Sequence, residues 1–119
     1  MRLTSTVIDC PDPRTLADFY AALLGWPIGR DEGDWVTLRP AGGGAGLSFQ
    51  TEPAHVPPRW PAGPGDQQMQ MHLDIEVEDL DAAGAVAVAA GATLAEHQPQ
   101  DDVRVYLDPA GHPFCLWRE

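Results

Sequence analysis

The residues from Met71 to Val77 alternate between apolar and polar, which predicts a strand with two unlike faces. Its apolar positions are Leu73, Ile75 and Val77, and its polar positions are His72, Asp74 and Glu76. Asp79 then stands at the expected N-cap of a helix, and the alanine- and valine-rich run that follows predicts this helix from Leu80 to Ala90. Gly91 is placed to end the helix, and Gly84 is expected to weaken it.

The beginning of the chain shows the same order of elements. Leu3 to Cys10 predicts a strand with Cys10 on the side of a helix, and Asp12 predicts the N-cap of that helix. The apolar stripe of the helix consists of Leu16, Phe19, Tyr20, Leu23 and Leu24. Trp35 to Arg39 and Leu47 to Gln50 predict strands on either side of a glycine-rich turn. No helix with a lysine follows this turn, so a phosphate loop is not indicated.

The two halves of the sequence form a repeat. Further extended segments are predicted after Trp26-Pro27 in the first half, and at 93–96, 103–107 and 114–117 in the second. The helix caps Asp12 and Asp79 are 67 residues apart, and so are Ser5 and His72. Each half therefore predicts a strand, a helix and three more strands, which is a βαβββ module.

An α+β fold follows from this repeat. Two tandem βαβββ modules, at 1–50 and 70–119, are expected to form a curved mixed sheet with helices on the convex side and a cleft on the concave side. A linker rich in proline and glycine joins them at 51–69, where regular structure is not expected. Trp60 in this linker is positioned to close over a ligand as a lid, or to fill the core or an interface.

The composition narrows the classes of partner. The net charge is −11, and no lysine is present, so nucleic acid and anionic membranes are not expected to bind. The absence of lysine also excludes Schiff-base chemistry. Two cysteines do not make a disulfide framework, and no signal peptide or membrane-spanning run is found. A cytoplasmic protein is the expectation.

Two motifs and the position of His72 resemble the vicinal oxygen chelate superfamily, also called the glyoxalase/bleomycin resistance/dioxygenase family. The first motif runs from Asp12 through Phe19-Tyr20 to Leu24-Gly25, and the second runs from Asp108-Pro109 through Gly111-His112 to Pro113-Phe114. His72 stands seven residues before the second helix cap. The resemblance covers essentially the whole chain and is greatest to the bacterial glyoxalase-like domain branch.

The resemblance implies four metal-ligand positions on the concave face, occupied here by Ser5, Ser48, His72 and Cys115. Only His72 carries a side chain usual in the metal enzymes of the family. Serine is a poor ligand, and a cysteine in place of the usual glutamate changes the metal preference. No cofactor is predicted from these residues. A divalent metal ion at His72 is kept as an open alternative. His72 is alternatively an acid/base group or a structural residue.

Cys115 is a second candidate catalytic residue, as a nucleophile with His72 as its base, or else a buried small residue. The carboxylates Asp74 and Glu76 share the face of His72 and are interpreted either as acid/base groups or as exposed charges. Arg104 and Tyr106 share one strand face and are candidates for anchoring an anionic or aromatic ligand, or for covering the surface.

Two functions are consistent with these residues. The first is a protein that binds or sequesters a small organic ligand, aromatic ligands included. Superfamily members without a metal include drug-sequestering resistance proteins, which are often dimers. The predicted ligand-binding residues are Val7, Ser48, Gln50, Trp60, Arg104, Tyr106 and Trp117, together with His72 and Cys115. Tyr106, Cys115 and Trp117 are expected to line the cleft together, and alternation places Trp117 on the face of Cys115 and Phe49 on the helix face. The charge favours a neutral or cationic ligand. The alternative is a metal-dependent or metal-free lyase, isomerase or dioxygenase that uses His72. A homodimer is expected.

Overall fold

A strand, a helix and three more strands follow one another twice along the chain, as the repeat predicts. The computed structural model describes residues 1–119. In the first repeat the elements are β1 (Ser5–Cys10), α1 (Pro13–Leu24), β2 (Ile28–Asp31), β3 (Trp35–Leu38) and β4 (Gly46–Thr51). In the second they are β5 (Leu73–Glu76), α2 (Leu80–Ala90), β6 (Thr93–Leu94), β7 (Val103–Leu107) and β8 (Pro113–Trp117). The predicted α+β class is confirmed, and α2 has the predicted bounds.

Each repeat forms a four-stranded mixed sheet, with strand order β1-β4-β3-β2 in the first and β5-β8-β7-β6 in the second. The first strand of each repeat pairs with the last in parallel, and the other pairs are antiparallel. Val7 pairs with Ser48, and Asp74 pairs with Cys115. These two pairs are related by the same offset of 67 residues that the helix caps show, so the repeat extends to the strand register.

The first sheet packs against α1 through aromatic side chains. Asp12 caps the helix by accepting hydrogen bonds from the Thr15 backbone at 3.3 Å and from the Thr15 hydroxyl at 2.8 Å. The ring of Tyr20 stacks on Phe49 of β4 at 5.8 Å, and both side chains are fully buried. Cys10 is also buried. Phe49 therefore lies on the α1 face of its sheet, as the alternation of β4 predicts.

The second sheet packs against α2 in the same way, with one difference from expectation. Asp79 caps the helix by accepting a hydrogen bond from the Ala82 backbone at 2.9 Å. Gly84 is buried in the middle of the helix, and a methyl group there would overlap the hydroxyl of Tyr106 on β7. Gly84, expected only to weaken the helix, is thus the position at which the ring of Tyr106 packs against it.

The segment 51–69 forms almost no regular structure, as its prolines predict. Its single bridge joins Arg59 to Gln68, and the Arg59 backbone donates a hydrogen bond to the Gln67 carbonyl at 2.8 Å. The chain separates into two units, Met1–His55 and Val56–Glu119. Most of the segment therefore belongs to the second unit. No helix is long and apolar enough to cross a membrane.

Candidate functional site

One face of the second sheet carries several of the candidate residues. Across the strands, Asp74 lies beside Cys115, and Cys115 lies beside Val105. Glu76 and Trp117 form the next pair on the same side. We call this surface the Cys115 face; its members are Asp74, Glu76, Val105, Cys115 and Trp117. The opposite face meets α2, because Tyr106 on that side contacts the helix at Gly84. The predicted placement of Trp117 beside Cys115 is confirmed.

His72 stands immediately before β5 and extends the row of polar side chains that begins with Asp74. Its Nε2 atom lies 3.1 Å from Oδ1 of Asp74, and its side chain is 29% exposed. The indole of Trp60 stacks on the imidazole, with 5.1 Å between ring centroids and 26° between planes. His97 meets the edge of the same indole at 5.0 Å. Trp60 is therefore held between two histidines of its own unit.

Cys115 carries a thiol that remains protonated at neutral pH. Burial, the negative charge of Asp74 and a hydrogen bond to Asp74 raise the pKa of this thiol to about 11. Only 3% of the residue is exposed. A buried and protonated thiol is a poor nucleophile, and Nε2 of His72 is directed to Asp74. In the absence of a metal ion, these observations favour a buried, protonated thiol at Cys115 over a thiolate activated by His72.

The first unit carries the other predicted residues on the corresponding face of its own sheet. The hydroxyls of Ser5 and Ser48 share a hydrogen bond of 2.6 Å, and Ser48 is only 2% exposed. The amide of Gln50 donates to Asp9 at 2.6 Å. Val7 lies beside Ser48 in the register and is 46% exposed. The serine hydroxyls and the Gln50 amide therefore have hydrogen-bond partners within the first unit.

The four metal-ligand positions implied by the resemblance do not fit a metal ion. Ser5 and Ser48 are bonded to each other, and neutral hydroxyls are poor ligands for the divalent metals concerned. In the second unit, by contrast, donor atoms of His72, Asp74 and Cys115 all lie within 4.8 Å of one another. Asp74 had been predicted only as an acid/base group or an exposed charge, and here it joins the two predicted residues.

Two predicted ligand contacts lie on the other side of their sheet. Tyr106 was expected to share the face of Cys115, but the register pairs it with Phe114, and the two rings stack at 5.9 Å. Arg104 pairs with Leu116 on that same α2 side, and its guanidinium donates to the carbonyls of Asp101 and Val103. The expected placement was wrong because alternation shows which residues share a face but not which face meets the helix.

Two histidines that carried no prediction have definite partners. His97 contacts Trp60, which the sequence does not signal because the two residues are far apart in the chain. Nδ1 of His112 lies 2.9 Å from Oδ2 of Asp108, inside the turn between β7 and β8. The Asp-Pro-x-Gly-His order does carry a signal for the second contact, because an aspartate at the start of a turn commonly accepts from backbone groups that follow it.

In metal-free protein, we expect iodoacetamide to alkylate Cys115 on the order of a hundredfold more slowly near pH 8 than an ordinary cysteine. The reason is that a pKa of about 11 leaves roughly one thiol in a thousand ionised at that pH. The measurement uses Cys10→Ser protein, so that one thiol remains. Asp74→Asn should accelerate the reaction by removing the charge. If the alkylation rate, followed as the pH is raised, levels off near the pKa of an ordinary cysteine, the raised pKa of Cys115 is contradicted.

Comparisons with known proteins agree with this architecture. A family model described as a glyoxalase-like domain matches residues 5–117. A glyoxalase/bleomycin resistance protein/dioxygenase family enzyme from Burkholderia phytofirmans PsJN has a similar structure, with 20% identity, a TM-score of 0.74, and coverage of 99% of this chain and 98% of that one. A comparison with curated protein sequences gave no significant match.

Two further solved structures share the fold. One is a glyoxalase/bleomycin resistance protein from Albidiferax ferrireducens T118, with 18% identity, a TM-score of 0.67 and coverage of 98% of each chain. The other is TnmS3, an antibiotic binding protein from Streptomyces sp. CB03234, with 19% identity, a TM-score of 0.64, and coverage of 99% of this chain and 95% of that one. The family match over nearly the whole chain shows that this protein belongs to the glyoxalase-like domain family of the vicinal oxygen chelate superfamily.

Proposed function

We propose that this chain binds a small planar organic molecule on the Cys115 face of its second sheet. The observation that carries the proposal is the position of Trp60, which lies nearly parallel to His72 and is supported at its edge by His97. A half-buried indole held in this way offers a flat apolar surface to a planar ligand. The indole of Trp117 lies on the same side of the sheet and extends that surface.

The charge around this face favours a neutral or cationic ligand. Asp74 and Glu76 lie on the same side of the sheet as Cys115, and the chain carries a net charge of −11. Arg104, predicted as an anchor for an anion, is engaged with two backbone carbonyls on the other side. A cation stacked on Trp60 would gain further from the indole ring.

The protein with the same fold named as an antibiotic binding protein supports binding over turnover. Ser5 and Ser48, at the positions where the family's metal enzymes carry ligands, support it too. Val7, Ser48 and Gln50 stay predicted ligand contacts on the first sheet, and the homodimer also stays a prediction. Fold alone does not decide between these functions, so the site residues carry the argument.

The proposal is tested with proflavine, a planar cation, and fluorescein, a planar anion, as fluorescent probes. We expect proflavine to bind more tightly than fluorescein by anisotropy. Trp60→Ala should weaken proflavine binding about 5- to 150-fold, because stacking on an aromatic side chain contributes roughly 1–3 kcal/mol. Trp26→Phe, in the first unit, is the matched control and should leave binding unchanged. Equal affinity in Trp60→Ala, or tighter binding of fluorescein, would contradict the proposal.

Catalysis by His72 is the second candidate function. The carboxylate of Asp74 lies 3.1 Å from Nε2 and can orient the imidazole for proton transfer. A metal-free lyase or isomerase would use His72 in this way, whereas a dioxygenase would need a metal as well. Turnover of a bound compound that is abolished by His72→Gln would favour this candidate over simple binding.

A further inference from the structure

We infer that His72, Asp74 and Cys115 form a binding site for one zinc ion, built entirely from the second unit. This site differs from the four-position set that the family resemblance implies, because it replaces the two serines of the first unit with one carboxylate. It also does not depend on the proposed ligand, since the metal is held by side chains of the chain alone.

The donor atoms lie close to the separation that zinc requires. Zinc bonds of about 2.0–2.3 Å at tetrahedral angles place neighbouring donors roughly 3.3–3.6 Å apart. Nε2 of His72 is 3.1 Å from Oδ1 of Asp74, and all three donors lie within 4.8 Å of one another. Shifts on the order of an ångström would therefore bring them around a single ion. His72 precedes the first residue of β5, so a small shift of its backbone toward the ion would not break the strand pairing.

The chemistry of the donors selects the metal. A thiolate and an imidazole favour zinc and cobalt over magnesium, calcium and manganese, which prefer oxygen ligands. Three protein ligands leave one coordination position open, the pattern of zinc sites that accept a further molecule. Binding replaces the thiol proton of Cys115 with the metal and releases that proton to solvent.

The surroundings support a fixed site rather than a chance cluster. Cys115 and Asp74 are direct neighbours across a parallel strand pair, so the sheet itself sets their spacing. The Cys115 residue is 97% buried, as its exposed fraction of 3% shows. The indole of Trp60 packs on the imidazole of His72 and restricts the plane of that ring. Outer contacts of this kind orient metal ligands.

Cobalt alone is the probe for this inference. Untagged protein, freed of metal and kept reduced, is titrated with Co²⁺, and we expect one ion per chain with the near-ultraviolet absorption of a cobalt–thiolate bond, displaced by Zn²⁺. Cys115→Ser should abolish that absorption. Asp74→Asn and His72→Gln should each weaken binding at least about tenfold, by analogy with the loss of groups that support metal sites.

Matched variants separate the proposed site from other sources of metal binding. Cys10→Ser changes the other buried cysteine and should leave the absorption and the affinity unchanged, and so should Ser5→Ala/Ser48→Ala. Circular dichroism checks that each variant is folded. If Cys115→Ser does not fold, the loss of cobalt affinity in His72→Gln, a substitution at the edge of β5, tests the site instead. The absence of the thiolate absorption, its persistence in Cys115→Ser, or full affinity in Asp74→Asn would overturn the inference. None of these outcomes depends on proflavine, so the proposed function stands or falls separately.

Discussion

Replacing Asp108 with alanine is expected to lower the free energy of unfolding by about 3 kcal/mol. Its carboxylate is buried, with 4% of the residue exposed, in the turn between β7 and β8. One oxygen accepts hydrogen bonds from the backbone of Ala110 at 2.9 Å and of His112 at 3.0 Å, and the imidazole of His112 lies 2.9 Å from the other. Removing the carboxylate leaves several donors without their partner, which costs more than the lost bonds alone.

Urea denaturation followed by tryptophan fluorescence measures this loss of stability. Two further variants separate the contribution of the His112 side chain from that of the backbone hydrogen bonds. His112→Ala keeps the backbone bonds to Asp108 and should cost about 1 kcal/mol. Asp108→Asn keeps one accepting oxygen, so its loss in free energy of unfolding should lie between those of Asp108→Ala and His112→Ala. If the free energy of unfolding of Asp108→Ala is within about 1 kcal/mol of that of the unchanged protein, the turn does not depend on this carboxylate.

Replacing Gly84 with alanine is expected to lower the free energy of unfolding by about 2 kcal/mol. In an ordinary helix the same change would stabilise the protein by roughly 1 kcal/mol, because glycine is a poor helix former. Here the added methyl group would overlap the hydroxyl of Tyr106, a residue that is 7% exposed and whose ring stacks on Phe114. Because the ring is buried and stacked, relief of the overlap requires Tyr106 to leave its place on Phe114 or the helix to move away from the sheet.

A double-mutant cycle with Tyr106→Phe identifies the cause. Without the hydroxyl, the nearest ring carbon would be 3.2 Å from the new methyl group, a contact that small shifts relieve. Gly84→Ala in the Tyr106→Phe protein should therefore cost little or nothing. Thermal and urea unfolding measure all four proteins, and an equal cost of Gly84→Ala in both backgrounds would mean that Tyr106 is not the obstacle.

The order of elements and the repeat were predictable because local signals agree with one another. Aspartate caps, stop glycines and the change from alternation to helical spacing fix both helices. The offset between the two halves carries over to the strand register, where Val7 and Ser48 correspond to Asp74 and Cys115. The same alternation placed Phe49 against α1 and Trp117 beside Cys115.

The side of β7 could not be predicted in the same way. Its valines and its Arg104-Tyr106 pair alternate, and polar groups on one face suggest an outward direction. Val105 nevertheless lies on the face of the sheet that points away from α2. Tyr106 packs against the helix, because Gly84 leaves room for its ring. A tyrosine has an apolar body with a polar tip, so its presence does not indicate which face is covered.

The arrangement of the candidate site depended on contacts between distant segments. The row of His72 and Asp74 was evident from the alternation of β5, and Cys115 from the repeat. That Asp74 joins the other two, and that Trp60 lies on His72 with His97 at its edge, follows from the path of the segment 51–69. Prolines predict that this segment lacks regular structure, but they do not predict where it packs.

The central claim is that a planar ligand stacks at Trp60, and the most direct measurement is a proflavine titration of protein labelled with ¹⁵N at its tryptophan indoles. Single Trp→Phe variants assign the four indole signals of the chain. We predict that the Trp60 and Trp117 signals shift with saturation, while that of Trp26 stays in place. A bound dye that leaves the Trp60 signal unchanged, or shifts Trp26 instead, would contradict the account.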